Sequence, residues 1–268
     1  MNSQKFAGKV VIVTGSSAGI GRGIALLLGQ QGASVTIHGR SLDGITETRN
    51  LMTQNGVDKE KIHSVQGDIQ DPKTTEALIN ETLEKFGKID VLVNNAGIGA
   101  KKGATMDSDE NLDFLMDVNL KSAIRLIRLA APHLEKTRGN VVNVSSIVGI
   151  KPFSAESYYA MTKASLDHYT RHAAPTLARS GIRMNNLNPG LVHSKFFSRL
   201  DLEVTFDQIA EGFVKKEVPM GRTGTALDMA NAVSYLASEE AAYVTGITLV
   251  VDGGALLGNG IRQFASYQ

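Results

Sequence analysis

The stretch VVIVTGSSAGIGRGIALLL, residues 10–28, decides the fold. It begins with a run of apolar β-branched residues that is typical of a buried strand, and it ends in an apolar run that favours a helix. Between them lie three glycines in the pattern G-x-x-x-G-x-G: Gly15, Gly19 and Gly21. Glycines allow a tight turn and a close approach of backbone to ligand, and a helix start presents free N–H groups to a phosphate. The pattern, to which Ser17 adds a hydroxyl, predicts a turn suited to a pyrophosphate, with a purely structural turn as the alternative.

Short β-branched runs recur along the chain, and most are followed by a longer segment with helical periodicity. Several runs are apolar at consecutive positions, as expected for strands covered on both faces. The strand-like runs lie at 10–15, 33–39, 61–68, 89–97, 139–146, 182–190 and 246–254. The helical segments lie at 20–31, 43–55, 73–86, 109–136, 157–179 and 227–238. This alternation predicts an α/β fold: a Rossmann-type, doubly wound sheet of about seven parallel strands flanked by helices on both faces, a three-layer sandwich.

The chain reads as one domain over 1–268, because no Pro/Gly/Ser-rich linker divides it and it contains no internal repeat. One long stretch, 191–226, contains no strand-like run. A connection of that length in a compact domain is usually functional, so we expect it to form a substrate loop. Pro175 falls late in the 157–179 helix, where it removes a backbone hydrogen bond. We therefore expect a kink or irregularity there.

The composition excludes several classes of function. With 28 basic and 27 acidic side chains the net charge is +1, so no global field favours nucleic acid or an anionic membrane. The absence of cysteine removes disulfides and thiolate sites and favours a reducing compartment. No apolar run approaches the roughly 20 residues of a membrane span. His168 and His172 have a zinc-like spacing, but no third ligand is evident. We expect a cytoplasmic protein without a metal, and neither nucleic acid nor membrane as a partner.

The end of the second predicted strand bears on the choice of dinucleotide. An acidic residue there binds the 2′-hydroxyl of NAD, whereas an arginine accommodates the 2′-phosphate of NADP. The strand ends at Arg40 and Ser41, which can offer a bidentate guanidinium and a hydroxyl to a phosphate. Asp43 comes later and fits the first turn of the next helix. We expect NADP(H) to be preferred over NAD(H), with a solvated Arg40 as the alternative interpretation.

Further short motifs follow the glycine-rich turn and cover nearly the whole chain. In order, the motifs are TGSSAGIG (14–21), Asp68 in QGDI, NNAG (94–97), Asn119 in DVNL, Ser146 in NVSS, Y-x-x-x-K at 159–163, NPG (188–190) and VDGG (251–254). The set resembles the classical members of the short-chain dehydrogenase/reductase superfamily. The resemblance implies an enzyme that transfers hydride between a nicotinamide cofactor and a carbonyl or secondary alcohol.

The resemblance also implies four groups of cofactor contacts. They run from the pyrophosphate and 2′-phosphate, through the adenine ring and the central strand, to the nicotinamide. In that order they are Gly15, Gly19, Ile20 and Gly21 with Arg40; Asp68 and Ile69; Asn95, Ala96 and Gly97; and Pro189, Gly190, Val192 and Ser194. The family most often has threonine where Ser194 stands, and serine keeps the hydroxyl.

The same resemblance assigns the catalytic roles to four residues: Asn119, Ser146, Tyr159 and Lys163. Carbonyl reduction needs a proton donor, and the ordinary tyrosine pKa of about 10 is too high unless a nearby cation lowers it. Lys163 follows Tyr159 by four residues, so both project from one helix face. Ser146 would hydrogen-bond the substrate oxygen. In the family, Asn119 locally opens its helix and anchors a water that extends a proton relay.

Each of these residues also has a structural interpretation. Taken alone, Tyr159 and Lys163 are a surface pair, Ser146 is a helix cap and Asn119 is a satisfied core amide. Their combination with the cofactor motifs favours the functional interpretation. Tyr158 is turned about 100° away from Tyr159 along the helix, so we expect it to pack or to line the pocket wall.

The substrate pocket is expected to be apolar, with basic side chains nearby. Apolar candidates precede the catalytic helix or lie in the 191–226 stretch: Ile147, Val148, Phe153, Tyr158, Phe196, Phe197, Leu200 and Phe213. Basic candidates in that stretch are Lys195, Arg199, Lys215 and Lys216. A lipophilic ketone of steroid, retinoid or xenobiotic type is the leading substrate. A 3-oxoacyl-carrier reductase of fatty-acid synthesis is the alternative, and a non-catalytic NADP-binding regulator is a third hypothesis.

The 109–136 segment carries apolar residues on more than one face. One apolar face would pack on the sheet, and the excess favours a partner subunit. By resemblance, this helix and the catalytic helix pair across a dimer, and the last strand often completes a tetramer. We therefore expect a homo-oligomer, a dimer or a tetramer.

Overall fold

Seven parallel strands form one sheet in the computed structural model, which describes residues 4–152, 157–193 and 205–258. The order across the sheet is β3-β2-β1-β4-β5-β6-β7. The strands are β1 Val10–Val13, β2 Ser34–Gly39, β3 Ile62–Gln66, β4 Val91–Asn94, β5 Asn140–Val144, β6 Arg183–Pro189 and β7 Thr248–Val251. Every described neighbouring pair is parallel, and consecutive strands are joined through helical connections. The predicted fold class is confirmed.

Helices cover both faces of this sheet. They are α1 Gly19–Gln30, α2 Leu42–Gln54, α3 Pro72–Phe86, α4 Asp109–Met116, α5 Ser122–Thr137, α6 Ser157–Arg179, α7 Phe206–Glu217 and α8 Ala226–Ala237. Successive residues of β1 point to opposite faces, so Val11 and Val13 pack under α1, α2 and α8 while Ile12 packs under α3, α5 and α6. One apolar cluster lies on each face of the sheet, so the helices on one face, the sheet and the helices on the other face form three layers.

The segment predicted as one helix over 109–136 is interrupted. A π turn at Asp117–Lys121 lies between α4 and α5, and Asn119 is at its centre. π turns of this kind are often found at functional sites. The turn changes which side chains α4 and α5 direct at the sheet, and it places the amide of Asn119 in the interior, where it is 1% exposed.

The irregularity expected at Pro175 is wrong, because α6 stays helical through this residue to Arg179. Proline cannot donate to the carbonyl four residues earlier, here that of Arg171. Both residues lie on the exposed side of α6, where water can serve that carbonyl. On the other side, Thr170 and Ala174 are buried against the sheet, and this packing holds the helical conformation on both sides of Pro175.

The 191–226 stretch contains α7, which the sequence had not predicted as a helix. A reciprocal capping box between Thr205 and Gln208 starts α7. Ser194, Lys195, Phe196, Phe197, Arg199 and Leu200, named above as candidates, lie outside the described residues, as does Phe153. No helix in the described parts of the chain is long and apolar enough to cross a membrane.

Candidate active site

A cavity of about 540 Å³ opens at the carboxyl ends of the central strands. β1 has β2 on one side and β4 on the other, so the chain order reverses at this point, where α/β sheets bind ligands. The cavity brings together most of the predicted site residues: Gly15, Ser17, Gly19, Ile20, Arg40, Ser41, Asp68, Ile69, Asn95, Ala96, Gly97, Ser146, Tyr159, Lys163, Pro189, Gly190 and Val192. Gly21 and Asn119 lie behind this lining, and Ser194 lies outside the described residues.

The glycine-rich turn needs its glycines for two physical reasons. Gly15 and Gly19 have φ angles of 64° and 57°, the left-handed region that favours glycine. A Cβ on Gly15 would lie 2.9 Å from the Cα of Ala96, and one on Gly21 would lie 2.6 Å from the Gly15 oxygen. The turn therefore packs directly on the end of β4. A side chain at Gly15 or Gly21 would push the turn away from Ala96 and Asn95, which support it.

The start of α1 is available to an anion. Its N-cap residue, Ala18, makes no side-chain hydrogen bond to the helix, and the first turn carries no acidic residue. The N–H groups of the first turn therefore face the cavity with the positive end of the helix dipole. Asn95 supports the turn from below, since its Nδ2 donates to the carbonyl oxygens of Thr14 at 2.8 Å and Gly15 at 3.2 Å. These features fit a bound dinucleotide phosphate.

The adenosine end of the cavity carries exposed charges. The Arg40 guanidinium lies 3.9 Å from the Asp68 carboxylate, and these side chains are 54% and 42% exposed. Ser41 caps α2 by accepting from the Gly44 N–H at 3.1 Å, and Asp43 lies in the first turn of that helix as predicted. Arg40 is thus the basic group at the end of β2, and its exposed guanidinium can turn toward a ligand.

His38 is a buried residue of this site that the sequence analysis missed. Its Nδ1 accepts from the Gly15 N–H at 3.1 Å, and its Nε2 lies 3.2 Å from the Gly67 carbonyl oxygen, to which it donates as the neutral tautomer. Burial lowers its pKa to about 4. The ring joins the glycine-rich turn to the loop that carries Asp68. Its place in the strand pattern, two residues before Arg40, was the one available signal.

The catalytic end of the cavity is buried. Lys163, 3% exposed, donates from Nζ to the Val144 carbonyl oxygen at 2.9 Å. The same Nζ lies 5.7 Å from the centroid of the Tyr159 ring. Burial lowers the pKa of Lys163 to about 8, while the charge of Asp167 raises it. A Cβ on Gly97 would lie 3.4 Å from this Nζ, so the glycine leaves open the space beside the ammonium.

Asn119 and Ser146 are each held by backbone contacts. Asn119 accepts from the Ile98 N–H at 2.9 Å and donates to the Ile98 carbonyl oxygen at 2.9 Å and to Thr162 Oγ1 at 3.1 Å. It therefore fixes the segment after the NNAG motif against α6. Ser146 accepts from the Val148 N–H at 3.3 Å, so it caps the turn Ile147–Gly149 while its side chain lines the cavity. Ser146 thus combines a structural contact with a place in the cavity lining, whereas Asn119 supports the site from behind that lining.

The part of the cavity beyond Tyr159 is apolar. Among the described residues this wall is formed by Ile98, Ile147, Val148, Leu191, Ile209 and Phe213, the last two from α7. Tyr158 is not part of the lining, because its hydroxyl donates to the Asp107 carbonyl oxygen at 3.0 Å. Of the two interpretations offered for Tyr158, packing agrees with the structure. The wall suits an apolar ligand.

The two histidines with zinc-like spacing lie elsewhere. His168 and His172 stack edge to face on α6 with their ring centroids 5.1 Å apart. In the described residues, no group of three or more His, Cys, Asp or Glu side chains is placed to hold a metal ion.

Comparisons with known proteins agree with this geometry. The family described as "Enoyl-(Acyl carrier protein) reductase" matches residues 15–255. The chain is 36% identical over 255 residues to "Tropinone reductase-like 3" of Erythroxylum coca, with 95% of both chains covered. It is 34% identical over 250 residues to the 3-oxoacyl-[acyl-carrier-protein] reductase FabG of Escherichia coli (strain K12), covering 93% of this chain and 98% of the relative.

Two solved structures from Caenorhabditis elegans are similar in fold and sequence. A short-chain dehydrogenase/reductase solved with its cofactor has a TM-score of 0.90 and 38% identity, over 96% of this chain and 98% of the other. A glucose dehydrogenase in its apo form has a TM-score of 0.82 and 39% identity, over 94% and 99%.

Proposed function

Because the chain belongs to the classical short-chain dehydrogenase/reductase superfamily, whose members are oxidoreductases that use nicotinamide cofactors, we propose that it is an NADP(H)-dependent carbonyl reductase or alcohol dehydrogenase. The substrate we infer is a lipophilic ketone or secondary alcohol of steroid, retinoid or xenobiotic type. The observation that carries the proposal is the buried ammonium of Lys163 beside the ring of Tyr159 in a cavity with an apolar wall. The proposal treats 1–268 as one catalytic domain with 191–226 as its substrate loop.

In the proposed reaction the nicotinamide supplies or accepts the hydride. Tyr159 gives its phenolic proton to the carbonyl oxygen during reduction and takes it back during oxidation. The charge of Lys163 stabilises the phenolate that this transfer leaves. Ser146 donates a hydrogen bond to the same oxygen as negative charge develops on it. Asn119 holds the backbone next to Lys163 and, as in the family, would anchor the relay that returns the proton.

The preference for NADP(H) rests on Arg40. Its guanidinium lies at the end of β2 and can form a bidentate contact with a 2′-phosphate, with Ser41 adding a hydroxyl. A carboxylate at this position would favour the 2′-hydroxyl of NAD. The nearest acid, Asp68, follows β3 and pairs with Arg40 at 3.9 Å. NAD(H) would keep the other contacts of the cavity but lose this one.

The alternative activity, 3-oxoacyl-carrier reduction, is favoured by a different observation. Relatives with that activity in their names are 34–35% identical to this chain. Lys215 and Lys216 lie exposed near the end of α7, the helix that contributes Phe213 to the cavity wall. They could attract an acidic carrier. The third hypothesis, a non-catalytic regulator, is disfavoured by the complete set of Asn119, Ser146, Tyr159 and Lys163.

We also propose a homo-oligomer, a dimer or a tetramer. An open groove lies between α5 and α6, next to the π turn. It is lined by Leu120, Ile124, Ala164, Ser165, His168, Tyr169 and His172. These apolar and aromatic side chains suit a second subunit. A sedimentation mass equal to one chain would contradict the assembly and leave the reaction untouched. The cytoplasmic location expected from the cysteine-free sequence stays a prediction.

Steady-state turnover separates the three hypotheses. The purified protein is mixed with NADPH and either a panel of lipophilic ketones or a 3-oxoacyl thioester, and NADPH consumption is followed by absorbance. The proposal predicts the highest kcat/KM with a lipophilic ketone. A thioester preference of tenfold or more would select the alternative activity, and cofactor binding without any turnover would select the regulator. Tyr159→Phe is the control for non-enzymatic loss of NADPH.

A further inference from the structure

A chain of buried polar side chains crosses the sheet and ends at Asp167 on α6. Asn94, Asn143 and Asn186 occupy matched positions on β4, β5 and β6. Asn94 donates to Asn143 at 2.9 Å, Asn143 donates to Thr170 at 2.9 Å, and Thr170 donates to Asn186 at 2.6 Å. Asn186 then donates to Asp167 Oδ1 at 3.1 Å. Each member is 5% exposed or less. All donors point the same way, toward the carboxylate.

The burial of so many polar side chains needs a physical explanation, because burying polar groups costs free energy that burying apolar residues would not. Hydrogen bonds that all run in one direction polarise one another and favour a negative charge on the terminal acceptor. The bond at the end of the series is charge-assisted, since its acceptor is a carboxylate. The series is therefore arranged to hold an ionised carboxylate in the interior of the protein.

The second oxygen of Asp167 joins two loops of the candidate site. Its Oδ2 accepts from Asn188 Nδ2 at 2.8 Å, and the same Nδ2 donates to the Ser146 carbonyl oxygen at 2.8 Å. Ser146 follows β5, and Asn188 directly precedes the Pro189–Gly190 step at the cavity. Both carboxylate oxygens thus accept amide hydrogens, the arrangement of the ionised form.

Asp167 is also one helical turn after Lys163, on the same helix. Its negative charge raises the pKa of Lys163 against the effect of burial. Burial is the largest effect on Asp167 and leaves its pKa above the ordinary value, although hydrogen bonds from Ser145 and Asn188 and the charges of Lys163 and Arg171 lower it. The charged groups that act on the carboxylate are these two cations of α6. The neighbouring strand ends and the turn Ile147–Gly149 contribute neutral groups, with a Cβ on Gly149 only 3.1 Å from Oδ2.

We propose that Asp167 is a positioning residue that keeps the buried Lys163 protonated: the polar chain from β4 to β6 holds its carboxylate ionised, and that charge serves as the counter-charge of the ammonium. The proposal deepens the function proposed above and rests on it for its catalytic meaning. Its electrostatic part concerns the free protein and can be tested without any substrate.

The first test measures the protonation of Lys163 directly. Protein labelled with ¹³C at lysine Cε is titrated by NMR, and the Lys163 signal is assigned by its loss in Lys163→Met. In the unmutated protein its midpoint is expected near 8. In Asp167→Asn, which keeps the shape and removes the charge, the midpoint should fall by about one pH unit or more. An unchanged or higher midpoint would overturn the proposal.

A matched variant separates charge from structure. Thr170→Val breaks the polar chain two hydrogen bonds away from Asp167 without removing a charge. Asn186 and Asn188 still donate to the carboxylate in this variant, so its Lys163 midpoint should fall much less than in Asp167→Asn. A fall as large as that of Asp167→Asn would mean that any disturbance of the chain lowers the midpoint, and the proposal would be wrong. If Asp167→Asn does not fold, Asp167→Ser replaces it, because the smaller side chain leaves room for a water to serve the two amides.

The second test is the alkaline limb of carbonyl reduction. Loss of the negative charge lowers the pKa values of both Lys163 and Tyr159, so the pH at which kcat falls should move down in Asp167→Asn by the same amount as the NMR midpoint. A limb that stays in place while the NMR midpoint moves would contradict the catalytic role. Failure of the unmutated protein to reduce any carbonyl would count against the proposed function alone, since the NMR result stands without it.

Discussion

The two ends of the cavity hold their charges in different ways. At the adenosine end, Arg40 and Asp68 are about half exposed and 3.9 Å apart. At the catalytic end, Lys163 is 3% exposed and Asp167 is 2% exposed. Water and salt screen the first pair, so its contribution to the stability of the folded protein is small and depends on ionic strength. The second pair lies in the interior, where a charge changes the protonation of its neighbours.

The difference teaches that one fold can use charge for two purposes. In the proposed function the exposed end selects among ligands, because an adjustable guanidinium can meet a phosphate that arrives from solvent. In the proposed function the buried end prepares chemistry, because fixed groups set the proton affinity of Lys163 before any ligand arrives. Substitutions at the buried end should therefore have the larger effects.

The largest effect is expected for Tyr159→Phe. Removal of the phenol removes the proton donor, so kcat for carbonyl reduction should fall by about 10³-fold. The binding of NADPH, followed by fluorescence titration, should change little, because the ring that packs beside Lys163 is kept. A variant that retained a tenth or more of the activity would show that another group supplies the proton.

A second prediction sharpens the comparison, since His38 is buried although it lies at the adenosine end. Its pKa is lowered to about 4 from 6.5, so below pH 6.5 the unfolded chain binds a proton that the folded chain does not. Stability is therefore fully present above pH 6.5 and declines as the pH falls toward 4, by about 3 kcal/mol. Urea unfolding at several pH values measures this decline.

In His38→Gln the side chain no longer titrates, so the decline between pH 6.5 and 4 should become smaller by about that amount. His63→Gln, on the neighbouring strand β3, serves as the control and should keep most of it. Equal slopes for His38→Gln and the unmutated protein would show that His38 is not held neutral in the folded state.

A smaller effect is expected for Arg40→Ala at the exposed end. Loss of the contact with the 2′-phosphate should weaken NADPH binding about tenfold at low salt and leave NADH binding nearly unchanged. The loss should shrink as salt is added, because the site is exposed. Arg49→Ala removes an exposed arginine from α2 and is the matched control. Equal affinities of the unmutated protein for NADPH and NADH would refute the cofactor assignment.

The smallest effect is expected for Tyr158→Phe. This substitution removes one partly exposed hydrogen bond to the Asp107 carbonyl oxygen, worth about 1 kcal/mol. Because the side chain lies off the cavity wall, kcat should stay within about threefold of the unmutated value. If this variant were inactive and Tyr159→Phe active, the roles of the two tyrosines would be reversed.

The sequence was most informative where a residue's role depends on its near neighbours. Short β-branched runs predicted each strand, and helical periodicity over 73–86 placed α3, Pro72–Phe86, within one residue. The glycines at 15 and 19 predicted the turn, because a positive φ is a local property of the backbone. The four-residue spacing from Tyr159 to Lys163 placed both on one face of α6.

Features that depend on distant neighbours could not be read in this way. The link between His38 and Gly67 joins strands that meet only in the folded sheet. Asp167 and Asn188 are 21 residues apart, and nothing local to either marks a buried pair. Pro175 gave a wrong expectation for the same reason, since the propensity of one residue was outweighed by the packing of its helix on β6.

The most direct test of the central claim follows the hydride itself. The purified protein is incubated with a lipophilic ketone and NADPH carrying deuterium at C4 in either the R or the S position, and the alcohol is analysed by mass spectrometry. The account predicts one deuterium at the carbinol carbon from one of the two cofactors, and none from Tyr159→Phe. Alcohol formed without deuterium from either cofactor, or no alcohol while NADPH is bound, would contradict it.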